Sequence, residues 1–474
     1  MAGKFEAPRS VWKTVVSAIP YVIIVAAVVM IVVIGGPIVM EHFAPDGTSE
    51  PPLLQDVTTA PSTEPSTAPS TEPSTAPPTD PPIIKESTAT IGSTGDLLLH
   101  DRVIQSGYDK ATGTYNYDNI FSVFSSFVSE VDYAVANLEV TLCGDDNGYK
   151  YAGYPCFNSP DAIVDAAKAA GFDMLLTANN HSFDTRTKGF MRTQEVIMDR
   201  GLDHIGSRYK VEDKNYIVKD LNGIKVGMIC YTYNTGFNAN GNASLNGIPL
   251  TAEATQLINS FSYNDLAGFY EKLSGEMQQM KEDGAEAIML YIHWGTEYQT
   301  YANNTQKKMA QALCDLGIDV IVGNHAHVVQ PVELLTNTQD ESKKTLCLYS
   351  MGNAVSNIYY INGKFPVETE DGMLFKVTFA KYSDGTVVLE SAEVLPTWVY
   401  RYPENGVGKY RILAMPTDSK ETWQEDMELT DALLKKCQDS YDRTMKIVGE
   451  GLTAANEYYA QHQAEVEASI GVTK

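Results

Sequence analysis

Histidine is scarce in this chain, with eight residues in 474. Tryptophan occurs four times and cysteine six times. Six cysteines spread over this length cannot build the dense bridge network of a small secreted scaffold. Basic residues are also short: 35 Lys and Arg stand against 60 Asp and Glu, a formal charge of −25. That balance argues against a basic face for nucleic acid. It also sets the protein against acidic polymers unless cations intervene. Beyond residue 40 no apolar run is long enough to cross a bilayer.

One such run does exist. Val15 to Ile34 is apolar and follows Lys4, Arg9 and Lys13. It matches the ~20 residues that a helical span needs. Glu41 and Asp46 follow it with no nearby Lys or Arg. The positive-inside rule then places residues 1–14 in the cytoplasm, a transmembrane anchor over 15–40, and the rest outside. A cleaved signal peptide would have a shorter apolar core and a small-x-small site, which "GGPIVMEHFAPDG" does not offer. Residues 41–82 form a linker in which Pro-Ser-Thr-(Glu/Ala) repeats from Pro61 to Pro82. With no large apolar residue to build a core, Pro61 to Pro82 reads as an extended stalk of roughly 70 Å at ~3.1 Å per residue. The expectation is a single-pass protein of the cell membrane with an extracellular main domain, suited to the thick wall of a Gram-positive type bacterium.

From Ile83 onward, short apolar runs alternate with helical patterns, the signature of βα units with buried strands. Strands are expected to end at Asp96 in "STATIGSTGD" and at Asn137 and Glu139 in "VDYAVANLE". Others open into Asn180 in "FDMLLTANNHSFD", His293 in "EAIMLYIHWGTEY", and His325 and His327 in "IDVIVGNHAHVVQPVE". Helices stop at Gly171 and Gly201, and Asn222-Gly223 reads as a hairpin turn. The folded domain covers 83–415, and 416–474 reads as a polar, helical tail.

Five strand ends thus each bring a metal-type ligand. In open α/β sheets, sites form beyond the carboxyl ends of the strands. A mixture of carboxylate, amide oxygen and imidazole suits one or two Mn, Fe or Zn ions better than Mg or Ca. His325 and His327, two residues apart, share one side of an extended chain. Gly323 is expected to supply a sharp backbone turn before them. Asp96 and Glu139 can also be read as caps or turn formers, and Asn180 as a turn residue. His100, His204 and His462 read as surface or satisfied core residues. Trp398, Tyr400 and Tyr402 either pack on the core or line a pocket. Cys143 and Cys156 flank a Gly/Tyr-rich loop and are candidates for a disulfide in an oxidising compartment.

Six pieces in order resemble the CapA family of poly-γ-glutamate capsule synthesis proteins, relatives of the calcineurin-like metallophosphoesterases. They are Gly95-Asp96, Asn137 to Glu139, "ANNHSFD" at 178–184, "HWGTEY" at 293–298, "GNHAHVVQPVE" at 323–333, and "YSMGN" at 349–353. The resemblance implies a four-layer α/β/β/α metallophosphoesterase-like sandwich with metals between the sheet ends. It implies that Asp96 and His327 hold one ion, that Asn180, His293 and His325 hold another, and that Glu139 lies close to both. His181 would stabilise or protonate a leaving group, and Asp184 would orient it. Asn137, Glu297, Gln330 and Asn353 are expected around the ligands, with Arg186 and Arg401 near substrate. Leu98 stands where phosphoesterases carry a histidine, so the first ion is expected to be short of ligands. The implied function is a metal-dependent hydrolase in synthesis, release or export of an anionic polymer such as poly-γ-glutamate, with a membrane synthase complex as partner. Two alternatives stay open: a non-catalytic polymer- or synthase-binding subunit with a structural metal, and a wall-side phosphodiesterase.

Overall fold

Alternation along single strands sets the layers. In Ala287–His293, Ala287, Met289 and Tyr291 join one buried cluster, while Ile288, Leu290 and Ile292 join another. A strand buried on both faces in this way must lie between two layers. The computed structural model describes residues 83–146, 148–360 and 363–469. The expected anchor at 15–40 and linker at 41–82 lie outside the described residues. Among the described residues, no helix is long and apolar enough to cross a membrane.

The chain begins a first sheet with β1 (Lys85–Leu97), β2 (Tyr133–Leu138), β3 (Met174–Leu176) and β4 (Asp203–Ile205), all parallel. It then builds a second sheet from β5 (Tyr216–Leu221), β6 (Ile224–Tyr233), β7 (Ser260–Phe261), β8 (Ala287–His293), β9 (Val320–Asn324), β10 (Val332–Thr336) and β11 (Lys344–Leu348). The order there is β7-β6-β8-β9-β11-β10, with β5 hairpinned onto β6. That hairpin turns at Asn222 and Gly223, with φ of 55° and 83°, as the Asn-Gly pair predicts. Finally the chain returns to the first sheet with β12 (Asn353–Val355), β13 (Asp371–Tyr382), β14 (Val387–Glu404) and β15 (Val407–Ala414). The first sheet runs β15-β14-β13-β1-β2-β3-β4, and β12 pairs with β1.

Val135, Met174 and Leu176 of the first sheet meet Val226, Met228 and Val322 of the second in one shared core. Helices α1 (Ala162–Ala169) and α2 (Arg186–Asp199) cover the outer face of the first sheet through Ile163, Val164 and Ile197. Helices α3 (Leu266–Glu282) and α4 (Asn304–Leu316) cover the second through Leu273, Met280, Met309 and Leu313. The layer order is therefore α/β/β/α. The long helix α5 (Asp431–Ser469) sends Val448, Ala455 and Tyr459 into the core between the sheets. Burying the Val448 side chain contributes on the order of 1.5–3 kcal/mol.

One local irregularity aims the site. The register between β1 and β2 slips between Thr94 and Asp96, a bulge with Gly95 at its centre. A Cβ on Gly95 would lie 1.9 Å from the Gly352 carbonyl oxygen, so no larger residue fits. Beyond the slip, Asp96 pairs with Asn137 on one side and Asn353 on the other. Three polar residues, 257 positions apart in sequence at the extremes, thus lie side by side on adjacent strands.

Candidate metal centre

At the carboxyl ends of β1, β2, β8 and β9, buried lone-pair atoms converge. His293 Nε2 lies 2.8 Å from Asn180 Oδ1, 3.1 Å from His325 Nδ1 and 3.4 Å from Glu139 Oε1. His327 Nδ1 lies 3.0 Å from Asp96 Oδ2 and 3.1 Å from Asn353 Oδ1, and His327 Nε2 is 3.9 Å from Glu139 Oε1. Two groups result, Glu139/His293/His325 and Asp96/Glu139/His327, in each of which the potential ligand atoms lie within 4.8 Å of one another. They share Glu139. All six predicted ligands, Asp96, Glu139, Asn180, His293, His325 and His327, are thereby brought together.

The donor chemistry fits a cation. Glu139 is fully buried, yet neither carboxylate oxygen has a hydrogen-bond partner. A buried unpaired carboxylate costs several kcal/mol unless something positive offsets it. Burial, reinforced by the Asp96 charge, pushes Glu139 well above the usual carboxylate range. Burial also holds His293 down to about 3 and His325 well below the ordinary imidazole value. Both rings are thus neutral lone-pair donors. Burial is the largest influence on His327 and works against its charge, but the hydrogen bond and charge of Asp96, the Glu297 charge and the Asn353 bond together outweigh it and raise the group. In the same pair, burial alone would raise Asp96, and His327 turns the balance downward.

Beside Asp96, Asn353 brings an amide oxygen to 3.1 Å from His327 Nδ1. Its Nδ2 donates to the His327 and Thr369 carbonyls, which leaves Oδ1 facing His327. Asn137 donates to Asp96 Oδ1 at 2.8 Å and so fixes the carboxylate's orientation. His181 Nδ1 sits 2.8 Å from Asp184 Oδ2, which also accepts the Phe157 N–H at 2.7 Å. Glu297 is exposed on the loop after β8, close enough for its charge to act on Glu139 and His327.

Other expectations need correcting. His325 and His327 do not continue a strand: β9 ends at Asn324, and their φ values are 93° and 55°. These left-handed residues are held by the Tyr298 N–H on the Ala326 carbonyl and by Asn353 on the His327 carbonyl. The loop, rather than strand alternation, turns both rings inward. Gly323 makes no sharp turn either. It lies within β9, where a Cβ would fall 1.9 Å from the Tyr349 carbonyl oxygen, so the requirement is space. Gln330 bonds to Gln306 and to the carbonyls of Gln299 and Tyr301, bracing the neighbouring loop instead of a ligand. Arg186 is exposed at the start of α2 beside Cys156. Arg401 pairs with Glu370 at 2.8 Å. Cys143 and Cys156 are free thiols, one buried and one exposed. The Phe157 N–H bond to Asp184 draws Phe157 inward, and its neighbour Cys156 faces out.

Three residues at the site escaped the sequence reading. Asn246 accepts from Asn180 Nδ2 at 3.1 Å, and its own Nδ2 lies 3.5 Å from His181 Nε2. Tyr233 OH lies 3.3 Å from His325 Nε2, and Phe157 meets the His181 ring edge-on at 4.6 Å. Only Asn246 carried a signal, the turn-forming Asn-Gly pair with Gly247.

The family model for bacterial capsule synthesis protein PGA_cap matches residues 90–358. The capsule biosynthesis protein CapA of Bacillus anthracis is 27% identical over 304 residues, 64% of this chain and 66% of that protein. The PGA biosynthesis protein CapA of Bacillus subtilis (strain 168) is 27% identical over 250 residues, 52% of this chain and 59% of that protein. The chain thus spans less than two thirds of these relatives' own lengths. Among solved structures, a Staphylococcus aureus protein assigned as a 5′-nucleotidase, in complex with α-ketoglutarate, aligns with a TM-score of 0.40 and 15% identity. That alignment covers 72% of this chain and 58% of the other.

Proposed function

The chain belongs to the bacterial capsule synthesis protein family PGA_cap, and from that premise we propose a metal-dependent hydrolase that acts on an anionic capsule polymer. Poly-γ-glutamate is the simplest such polymer, and the step is its synthesis, release or export. The observation that carries this reading is Glu139, buried without a hydrogen-bond partner among Asp96, Asn180 and three imidazoles. Their ligand types suit one or two Mn, Fe or Zn ions. A divalent ion there supplies Lewis-acid chemistry. The chain's own residues do the rest. Asn137 and Asn353 orient Asp96 and His327. Asp184 fixes the Nδ1–H tautomer of His181, leaving Nε2 to exchange a proton with a leaving group. The N-terminal apolar run supports membrane anchorage with the domain outside, where a synthase complex and its product would meet it. The charge of −25 speaks against nucleic acid as a partner.

The test is metal content of the purified full chain, with a pooled screen of phosphoesters and γ-glutamyl amides. The double variant His325→Ala/His327→Ala is expected to lose its metal and to change capsule chain length or retention in cells. Lost metal with an unchanged capsule would instead support a binding subunit. Turnover of phosphodiesters alone would support the wall-side phosphodiesterase.

A further inference from the structure

A cleft of about 1770 Å³ opens between His100 and the β14–β15 hairpin. That exceeds the roughly 300–1,000 Å³ of a small-molecule pocket. Its wall leads to the site. Tyr410 OH donates to Asn357 Oδ1, and the Asn357 N–H reaches His100 Nδ1 at 3.4 Å. The His100 ring meets Phe157 edge-on at 5.2 Å, and Phe157 meets His181 at 4.6 Å.

The lining is unusual for so acidic a protein. Five cations, Arg102, Lys110, Arg401, Lys409 and Lys436, face four carboxylates. Three of those carboxylates are engaged. Glu370 holds Arg401 and the Trp398 indole N–H, Asp101 caps the Gly153 N–H, and Asp109 caps the Ala111 N–H. Among the described residues, Arg102, Lys110 and Lys436 form no ion pair. Arg401 stacks on Tyr359 at 4.1 Å, and its Nη1 is buried without a partner. Nine lining residues are aromatic. Of the nine exposed large hydrophobic residues among those described, four line this cleft: Tyr108, Tyr154, Tyr360 and Val407. Exposed apolar surface concentrated in this way marks a binding site.

We propose that this cleft binds an extended, carboxylate-bearing polyamide chain, with its cations on the carboxylates and its aromatic rings over the methylene stretches between them. The proposal rests on the functional reading above, since the bound chain would lead to the metal centre. An inorganic polyphosphate would satisfy the cations but offer the exposed rings nothing to cover. Binding energy gathered here, away from the reacting bond, would position the polymer.

The experiment is equilibrium binding of a fluorescent γ-linked oligoglutamate to the full chain at several salt concentrations. The variant Arg102→Gln/Lys110→Gln/Lys436→Gln is expected to bind at least about tenfold more weakly, with a shallower salt dependence and unchanged metal content. Tyr154→Ala/Tyr360→Ala is expected to weaken binding without altering the salt dependence. Absence of binding to the wild type, equal binding by the charge variant, or stronger competition by polyphosphate or an acidic glycan would overturn the proposal. Retained binding by His325→Ala/His327→Ala supports the cleft even where the hydrolase reading fails.

Discussion

The two ends of the central strands use the same residue types in opposite ways. At the amino ends, an acid stands one residue before the strand in four places: Asp132 before β2, Asp173 before β3, Glu286 before β8 and Asp319 before β9. Each makes a two-bond clip to the neighbouring strand. Asp132 donates its N–H to the Thr90 carbonyl, and its carboxylate accepts the Thr90 N–H at 2.8 Å. Asp173 does the same with Ala134, Glu286 with Lys225 and Asp319 with Ile288. At the carboxyl ends, Glu139 keeps both oxygens unpaired, as do His293 Nδ1 and Asn324 Oδ1. One end satisfies its polar atoms with backbone and gains register. The other leaves Glu139 unsatisfied and can receive a ligand. A carboxylate's role therefore follows from whether a backbone N–H is within reach, and residue type alone does not set it.

The sharpest way to break this contrast is Glu139→Gln. It removes the buried carboxyl, whose ionisation burial and Asp96 oppose, and the shared ligand together. The metal-stripped variant is expected to be about 2 kcal/mol more stable than the stripped wild type. Added divalent metal should then no longer raise stability, whereas the wild type should gain about 2.7 kcal/mol at 100 times its Kd. Urea melts with and without metal check both. A stripped variant less stable than the stripped wild type would erase the distinction between the two ends.

Asp319→Asn tests the other end. Burial pushes Asp319 up to about 6, against the pull of its bond from the Ile288 N–H. Between about pH 4 and pH 6 the folded chain therefore holds a proton that the unfolded chain has lost. Stability from this group falls as pH rises through that window, and the penalty is complete above it. The asparagine variant should lose this slope and be more stable at pH 7 by up to about 3 kcal/mol, with unchanged metal content. Denaturant midpoints at pH 4, 5, 6 and 7 measure it. The smallest effect is expected from Asp132→Ala at an exposed clip, a loss of about 1 kcal/mol or less with metal binding intact. A change in metal affinity there would show that the two ends are coupled.

Much of this was legible. Apolar runs and glycine stops located the strands and helices, because burial on both faces and left-handed helix ends restrict residue type strongly. The convergence of Asp96, Glu139, Asn180, His293, His325 and His327 was readable as ligands at strand ends. The four clips were also written in the sequence, as an acid immediately before each apolar run, yet only the paired backbone shows what they bond. The backbone at His325 and His327 was misread because their left-handed φ values are imposed from outside, by Tyr298 and Asn353.

By itself, the sequence determined the layered α/β domain, the placing of ligand-type residues at strand ends, and a family resemblance carried by six short motifs. Those depend on local pattern, which burial writes into every strand and helix. Tertiary structure alone decided that Gly95 makes room for the bulge that sets Asp96 between Asn137 and Asn353. It alone left Glu139 without a partner, freed Cys143 from Cys156, and gathered Arg102, Tyr154, Arg401 and Lys436 around one cleft. These are relations between residues far apart in the chain, fixed by register and packing, and no local pattern encodes them.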